Sequence, residues 1–264
     1  MKYSFIATLF FLITFLFSGC TQPTTESDSK IDTTMTETNL DNLSSKLASD
    51  QRSETDRARD TGRKPAEAMS FIGIESGMNV IDLVAATGWY SEVLSIAVGP
   101  SGSVTAQNPP FMAAFRNGTY LDGLTERIGD RLENVFRLDG TWEELAASKV
   151  QYDAAWSALN IHDVYYMEGP EKASIFASAV FSVLKPGGVL GIIEHSGNPD
   201  GDNEALHRLD PALAIEIVTG AGFILEDESD LFNNPEDDGT KGVFSDGLRG
   251  NTNRFFLKFR KPSI

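Results

Sequence analysis

The sequence predicts an α/β domain built around an open, mostly parallel sheet. The first reason is the stretch Asn79–Ser91, N-V-I-D-L-V-A-A-T-G-W-Y-S, which reads as a buried strand, a tight turn of small residues and a helix. Val80, Ile81, Leu83 and Val84 form the β-branched, apolar run expected of a strand covered on both faces. The second is that such runs recur down the chain, separated by segments with apolar residues at helical spacing. The third is the last run, Phe255–Phe259, which alternates and suits an antiparallel strand at the end of the sheet.

Order is expected from about Gln51. The segment S-E-T-D-R-A-R-D-T-G-R-K-P-A-E-A-M-S-F-I mixes charges, then offers Pro65 as a helix start with Met69, Phe71 and Ile72 to pack. Asp60, Arg63 and Lys64 precede that helix; such a cluster is usually a solvated face, the alternative being the edge of a ligand pocket. G-I-E-S-G-M leads into the central strand. Tyr90–Val98 follows as a helix, Gly99–Gly102 as a turn and Ser103–Gln107 as a second strand. Thr119–Leu132 suggests a helix and Val135–Leu138 a third strand, ending in Asp139-Gly140, itself an ordinary turn signal. The fourth strand, Tyr152–Leu159, ends in N-I-H-D at Asn160–Asp163. Glu171–Leu184 is an amphipathic helix closed by K-P-G-G, Val189–Ile193 a fifth strand ending in Glu194-His195, and Phe223–Leu225 begins a sixth. The acidic, Gly-rich stretch Asn233–Asn253 is long enough to be a lid or binding loop, and Arg249 within it offers a fork to a carboxylate.

Ligands of an open parallel sheet bind beyond the carboxyl ends of its strands. That rule brings Asp82, Asn160–Asp163 and Glu194-His195 to one crevice. The turn after Asp82 lets backbone N–H groups and a helix N-terminus face a ligand, while Asp82 accepts a ligand's polar hydrogens. His162 is the candidate general base, since its ordinary pKa is near neutral and Asp163 stands beside it to tune it; a capping or exposed histidine is the alternative. All three histidines fall between Asn160 and Asp210, with His207 and Asp210 in H-R-L-D, a concentration that admits a mononuclear metal site. No pair of them has the helical spacing of a recognised metal motif, so no metal is assigned.

Composition narrows the partners. Over 264 residues, 22 Lys and Arg face 38 Asp and Glu, a net charge of −16. A surface of that sign repels phosphate backbones and anionic lipid headgroups, which argues against a nucleic-acid substrate and favours a small or cationic one. With 41% hydrophobic residues the chain can bury one good core.

The N-terminus carries a separate signal. Lys2 precedes an apolar run from Tyr3 to Phe17, shorter than the ~20 residues a spanning helix needs, as in an export signal. L-F-S-G-C at Leu16–Cys20 resembles the lipobox of bacterial lipoproteins, in which the cysteine is acylated and becomes the first mature residue. An ordinary secretory signal or an uncleaved anchor are the alternatives. Cys20 is the only cysteine, so no intramolecular disulfide can form. The chain thus divides into a signal over 1–19, a disordered Ser/Thr/Asp/Glu-rich tether over 20–50 and a folded domain over 51–264. Thr21 is not the aspartate that retains enteric lipoproteins in the inner membrane, so the expected place is the outer membrane, facing the periplasm.

The run D-L-V-A-A-T-G resembles the first motif of the class I S-adenosylmethionine (SAM) dependent methyltransferases, an acid, an apolar residue and alternate glycines. Asp82 and Gly88 match it, and Val84 and Ala86 stand where the first two glycines belong. Certain RNA methyltransferases read D-L-x-A-A-P-G here. R-K-P-A-E, G-W-Y-S-E and L-R-G-N-T-N-R-F-F-L-K-F-R-K-P further resemble a group of bacterial methyltransferases, many of them exported. The likeness covers about Gln51 to Pro262. It implies a Rossmann-like, doubly wound, seven-stranded sheet, mostly parallel, with an antiparallel last strand. It also implies SAM as cofactor, held at Asp82, Val84, Ala86 and Gly88. Gln107 and Asn108 stand where the family holds the ribose, Asp139 where it meets the adenine amine, and Asn160 in the same crevice. Methyl transfer to a small acceptor, with His162 and Asp163 as the catalytic pair, is the activity implied. A ligand-binding protein on a methyltransferase scaffold and a metal-assisted hydrolase are the other readings. Oligomeric state is not legible.

Overall fold

A computed structural model of the chain describes Met1 and residues 39–263. The apolar N-terminal run, Cys20 and the tether up to residue 38 lie outside the described residues. Among the described residues no helix is long and apolar enough to cross a membrane.

Seven strands form one sheet: β1 (Asn79–Leu83), β2 (Ser103–Asn108), β3 (Val135–Asp139), β4 (Tyr152–Ala158), β5 (Leu184–His195), β6 (Ile224–Ser229) and β7 (Arg254–Arg260). Their order is β3-β2-β1-β4-β5-β7-β6, with β7 antiparallel to both its neighbours and the remaining pairs parallel. The order reverses between β1 and β4, which opens a crevice at the carboxyl ends of those strands. The K-P-G-G segment, expected only to close a helix, is already part of β5.

Helices cover both faces, as the buried strands require. α1 (Pro65–Ile72) begins on Pro65, whose fixed φ suits the first helical position, and ends at Gly73 in a left-handed conformation. With α2 (Trp89–Val98) it packs over one face, where Val80, Val104, Val93 and Leu94 are buried together. The sequence of β1 alternates accordingly: Ile81 and Leu83 enter the other core, with Phe176, Ala177 and Val180 of α4 (Pro170–Val183) and Ala214 and Val218 of α5 (Pro211–Gly220). α3 (Thr119–Ile128), shorter than expected, stops at Gly129 and buries Leu124 against the first core.

Order begins earlier than Gln51. Residues 39–47 are helical, and Leu40, Leu43 and Leu47 pack on the first core, Leu47 being 2% exposed. Leucines at i, i+3 and i+7 make a single stripe even in a polar segment, so the stretch 39–50 is not the disordered tether its composition suggests. Arg52, buried, fixes the junction by donating to the Leu47 carbonyl and to Asp60.

Candidate functional site

The carboxyl ends of β1, β4 and β5 surround a cavity of about 310 Å³, within the range of small-molecule sites. At its foot lies Asp82, 3% exposed, whose Oδ2 accepts a 2.6 Å hydrogen bond from Ser91 of α2. Burial pushes its pKa up to about 7, against the pull of the Ser91 hydrogen bond and the Arg63 charge.

The turn beyond Asp82 keeps a glycine-like backbone without the glycines. Val84 and Ala86 have φ of 53° and 51°, in the left-handed region that costs a side-chain-bearing residue roughly 1–2 kcal/mol. Gly88 is also left-handed, at 76°, and a β-carbon there would stand 2.6 Å from Leu124 Cδ1. Val84 and Ala86 line the cavity, whereas Gly88 acts by letting α2 start close against α3.

Gln107 and Asn108 do something other than the expected ribose contact. Gln107, fully buried, accepts from the Val84 N–H at 3.3 Å and donates to the Gly140 carbonyl. Asn108, 1% exposed, accepts from the Ala86 N–H at 2.8 Å. Both amides therefore clamp the strained turn from behind, and neither lines the cavity. Asp139 is likewise displaced: it is exposed at the end of β3 and paired with Arg137. An amide that serves the backbone is indistinguishable in sequence from one that serves a ligand.

Two cations face Asp82 across the cavity. Arg59 and Arg63 line it and stack on Trp89, with Arg63 4.6 Å from the indole centroid and 5.3 Å from Tyr90. Arg63 thus belongs to the site, contrary to the solvated face expected of it. Lys64 donates to the Leu231 carbonyl and Asp60 is held by Arg52, so these two are structural. Phe111, Met112, Phe115 and Tyr120 supply an apolar wall that follows β2. The signal was present in P-P-F-M-A-A-F directly after Asn108.

The opposite wall carries all three histidines. His162 is buried; its Nδ1 lies 2.9 Å from Glu194, whose second oxygen accepts from the Ile161 backbone N–H. Burial disfavours the imidazolium, but the Glu194 charge and hydrogen bond outweigh it and the His162 pKa is raised. His195 is held at Nδ1 by Thr252, and burial lowers its pKa to about 3, so it is neutral. Asp163 sits 3.4 Å from His162 Nε2 and 3.6 Å from His207 Nε2. Asn160 lines the same space and donates to the Leu83 carbonyl. Leu159 (φ 63°) and His207 (φ 58°) are further left-handed residues on this rim.

The loop expected as a lid does reach the cavity, through Val243 and Phe244. Its anchor is the buried pair Arg208–Asp237, bidentate with both contacts at 2.9 Å. Arg249 stands 6.0 Å from the Phe244 ring centroid and is not part of the cavity wall.

The fold has solved counterparts. A SAM-dependent methyltransferase from Aquifex aeolicus superimposes with a TM-score of 0.53 at 19% identity, over 74% of this chain and 88% of that one. A candidate sarcosine dimethylglycine methyltransferase from Galdieria sulphuraria gives 0.51 at 18% identity, over 77% and 86%. The fold is that of the class I SAM-dependent methyltransferases. No protein-family model matches the sequence, and no curated protein matches it either. Against the methyltransferase fold, the seven-stranded sheet with antiparallel β7 and the cavity beyond β1 stand as expected from the sequence. The residues present suit SAM in its charged and apolar parts. Asp82 can take an ammonium's hydrogens, Arg59 and Arg63 a carboxylate, and the Phe111–Tyr120 wall a flat base. At the end of β2 the fit is poorer, because Gln107 and the Asn108 Oδ1 bond the turn and neither side chain lines the cavity, although the buried Asn108 Nδ2 has no partner among the described residues.

Proposed function

We propose that this chain transfers a methyl group from SAM to a small acceptor, as a lipoprotein held in the bacterial envelope by acylated Cys20. The carrying observation is the turn at Val84–Gly88. Two side-chain-bearing residues are forced into left-handed backbone conformations and clamped there by buried amides, at the foot of a cavity holding Asp82 and Arg63. Strain of that kind persists where the surroundings enforce it, and it clusters at ligand sites. SAM, when bound, supplies an electrophilic methyl on a sulfonium. The chain's own part is to hold and align. Asp82 and the arginines fix opposite charges on one ligand, the apolar wall excludes water, and alignment supplies most of the rate advantage. His162, oriented by Glu194 at Nδ1 and flanked by Asp163, presents Nε2 to accept an acceptor's proton. The acidic surface supports an acceptor that is small and neutral or cationic rather than nucleic acid. The placement in the outer membrane, facing the periplasm, rests on the lipobox-like L-F-S-G-C and on Thr21.

The bonding of Gln107 and of the Asn108 Oδ1 to the turn, away from the cavity, favours a second reading, a ligand-binding protein without turnover on the same scaffold. Calorimetric titration of the full chain with SAM and S-adenosylhomocysteine separates them. Methyl transfer requires micromolar binding that Asp82→Ala weakens at least tenfold. A folded chain indifferent to both at millimolar concentration has no such activity.

A further inference from the structure

A group of side chains beside the cofactor cavity has a geometry that methyl transfer does not require. His162, Asp163 and His207 each offer a ligand atom, and the three atoms lie within 4.8 Å of one another. Asp163 is 3.4 Å from His162 Nε2 and 3.6 Å from His207 Nε2. The two Asp163–histidine separations match neighbouring ligand atoms on a tetrahedral ion whose bonds are about 2.0–2.2 Å long. The ligands come from two elements: His162 and Asp163 from the turn after β4, His207 from the end of the short helix Asn203–Leu206.

A buried carboxylate supports the cluster from behind. Glu194, fully buried, holds His162 at Nδ1, which leaves Nε2 toward Asp163 and reproduces the carboxylate–histidine support behind metal-bound imidazoles. His207 caps that short helix in the left-handed conformation usual at a helix C-terminus, its N–H donating to the Asn203 and Glu204 carbonyls, and its ring lies 5.0 Å from the His162 ring.

We propose that His162, Asp163 and His207 bind one divalent first-row transition metal, zinc by ligand type, with the fourth position open. Two imidazoles and a carboxylate are the donors such ions take at catalytic sites, where a water or substrate fills the remaining place. All three residues line the cofactor cavity and also the adjoining cleft by Tyr166 and Glu204, so the open position is reached from both. The ion replaces His162 as the group that deprotonates an acceptor. It lowers the pKa of a hydroxyl or thiol bound to it, and the proton leaves through the cleft to solvent. This last role, which names a metal-binding hydroxyl or thiol as the acceptor class, rests on the methyl-transfer reading; the metal site does not.

The test uses the full chain stripped with a chelator and titrated with zinc by calorimetry at physiological salt, with cobalt(II) absorption as a second readout. One equivalent should bind at micromolar or better, and cobalt should give the intense visible bands of a four-coordinate site. His207→Ala, on a half-exposed side chain, should weaken binding at least tenfold while the protein stays folded, and Asp163→Asn should do the same. Glu194→Gln should cost roughly 10–100-fold. Failure to bind one equivalent overturns the site, as does binding that His207→Ala leaves unchanged. SAM titration of the same variants keeps the two ideas apart: zinc bound without SAM sinks methyl transfer alone, and SAM bound without zinc sinks the metal alone.

Discussion

At the scale of single residues, Asp82 couples stability to binding. Its carboxyl is pushed up to about 7 by burial, above its unfolded value, so the folded state favours the protonated form. The sign follows by linkage: its contribution is fully favourable below the unfolded pKa, near 4, and is lost as pH rises through 7. Asp82→Asn should therefore match the parent at about pH 4 and exceed it by up to about 4 kcal/mol above pH 8, in denaturant unfolding, while losing affinity for SAM. A variant less stable than the parent in alkali would mean that Arg63, not burial, governs the group. The sequence made Asp82, His162 and Asp163 legible because strand ends converge on one crevice. Gln107 and Asn108, expected at a ribose, bond the turn because an amide serves backbone and ligand equally well, and Asp139 lies exposed because β3 is an edge strand whose end faces outward. The partnership of Asp163 with His207 escaped because it joins different elements, and sequence spacing registers ligands within one.

At the scale of elements, the Val84–Gly88 turn shows how a binding conformation survives the loss of its glycines. Hydrogen bonds from the Val84 and Ala86 N–H groups to the buried amides hold what the φ angles oppose. Ala86→Gly should relieve that opposition and raise stability by about 1 kcal/mol, read from the urea midpoint. Val84→Gly should lower stability, since Val84 is only 4% exposed and its loss removes apolar burial. If Ala86→Gly proves destabilising, the clamp and not the strain sets the turn. The strands were readable from their apolar runs; the helix over 39–47 was not, since its three leucines are diluted by Ser, Asn and Lys and only their spacing betrays a packing face.

At the scale of the whole molecule, the crevice is closed by chain that arrives last. The loop at 233–253 is tied down by Asp237, whose partner Arg208 is fully buried. Arg208→Ala leaves that carboxylate uncompensated and should cost about 3–5 kcal/mol. Limited proteolysis should then cut the loop under conditions that leave the parent intact; unchanged resistance would assign the anchoring to Val243 and the loop's own turns. The parallel character of the sheet and its antiparallel last strand were legible in recurring apolar runs and one alternating run, because parallel strands need helical crossovers and a terminal strand can enter by a hairpin; the strand order was not, since apolar runs do not say which strands are neighbours. That hairpin puts β6 at an edge of the sheet, and the side chains there are Glu226, Asp227 and Glu228, all exposed. An open edge is a template for another chain's backbone. Glu226 is paired there with Lys258 and Arg260, while Asp227 and Glu228 present like charges to any second copy that approaches along β6.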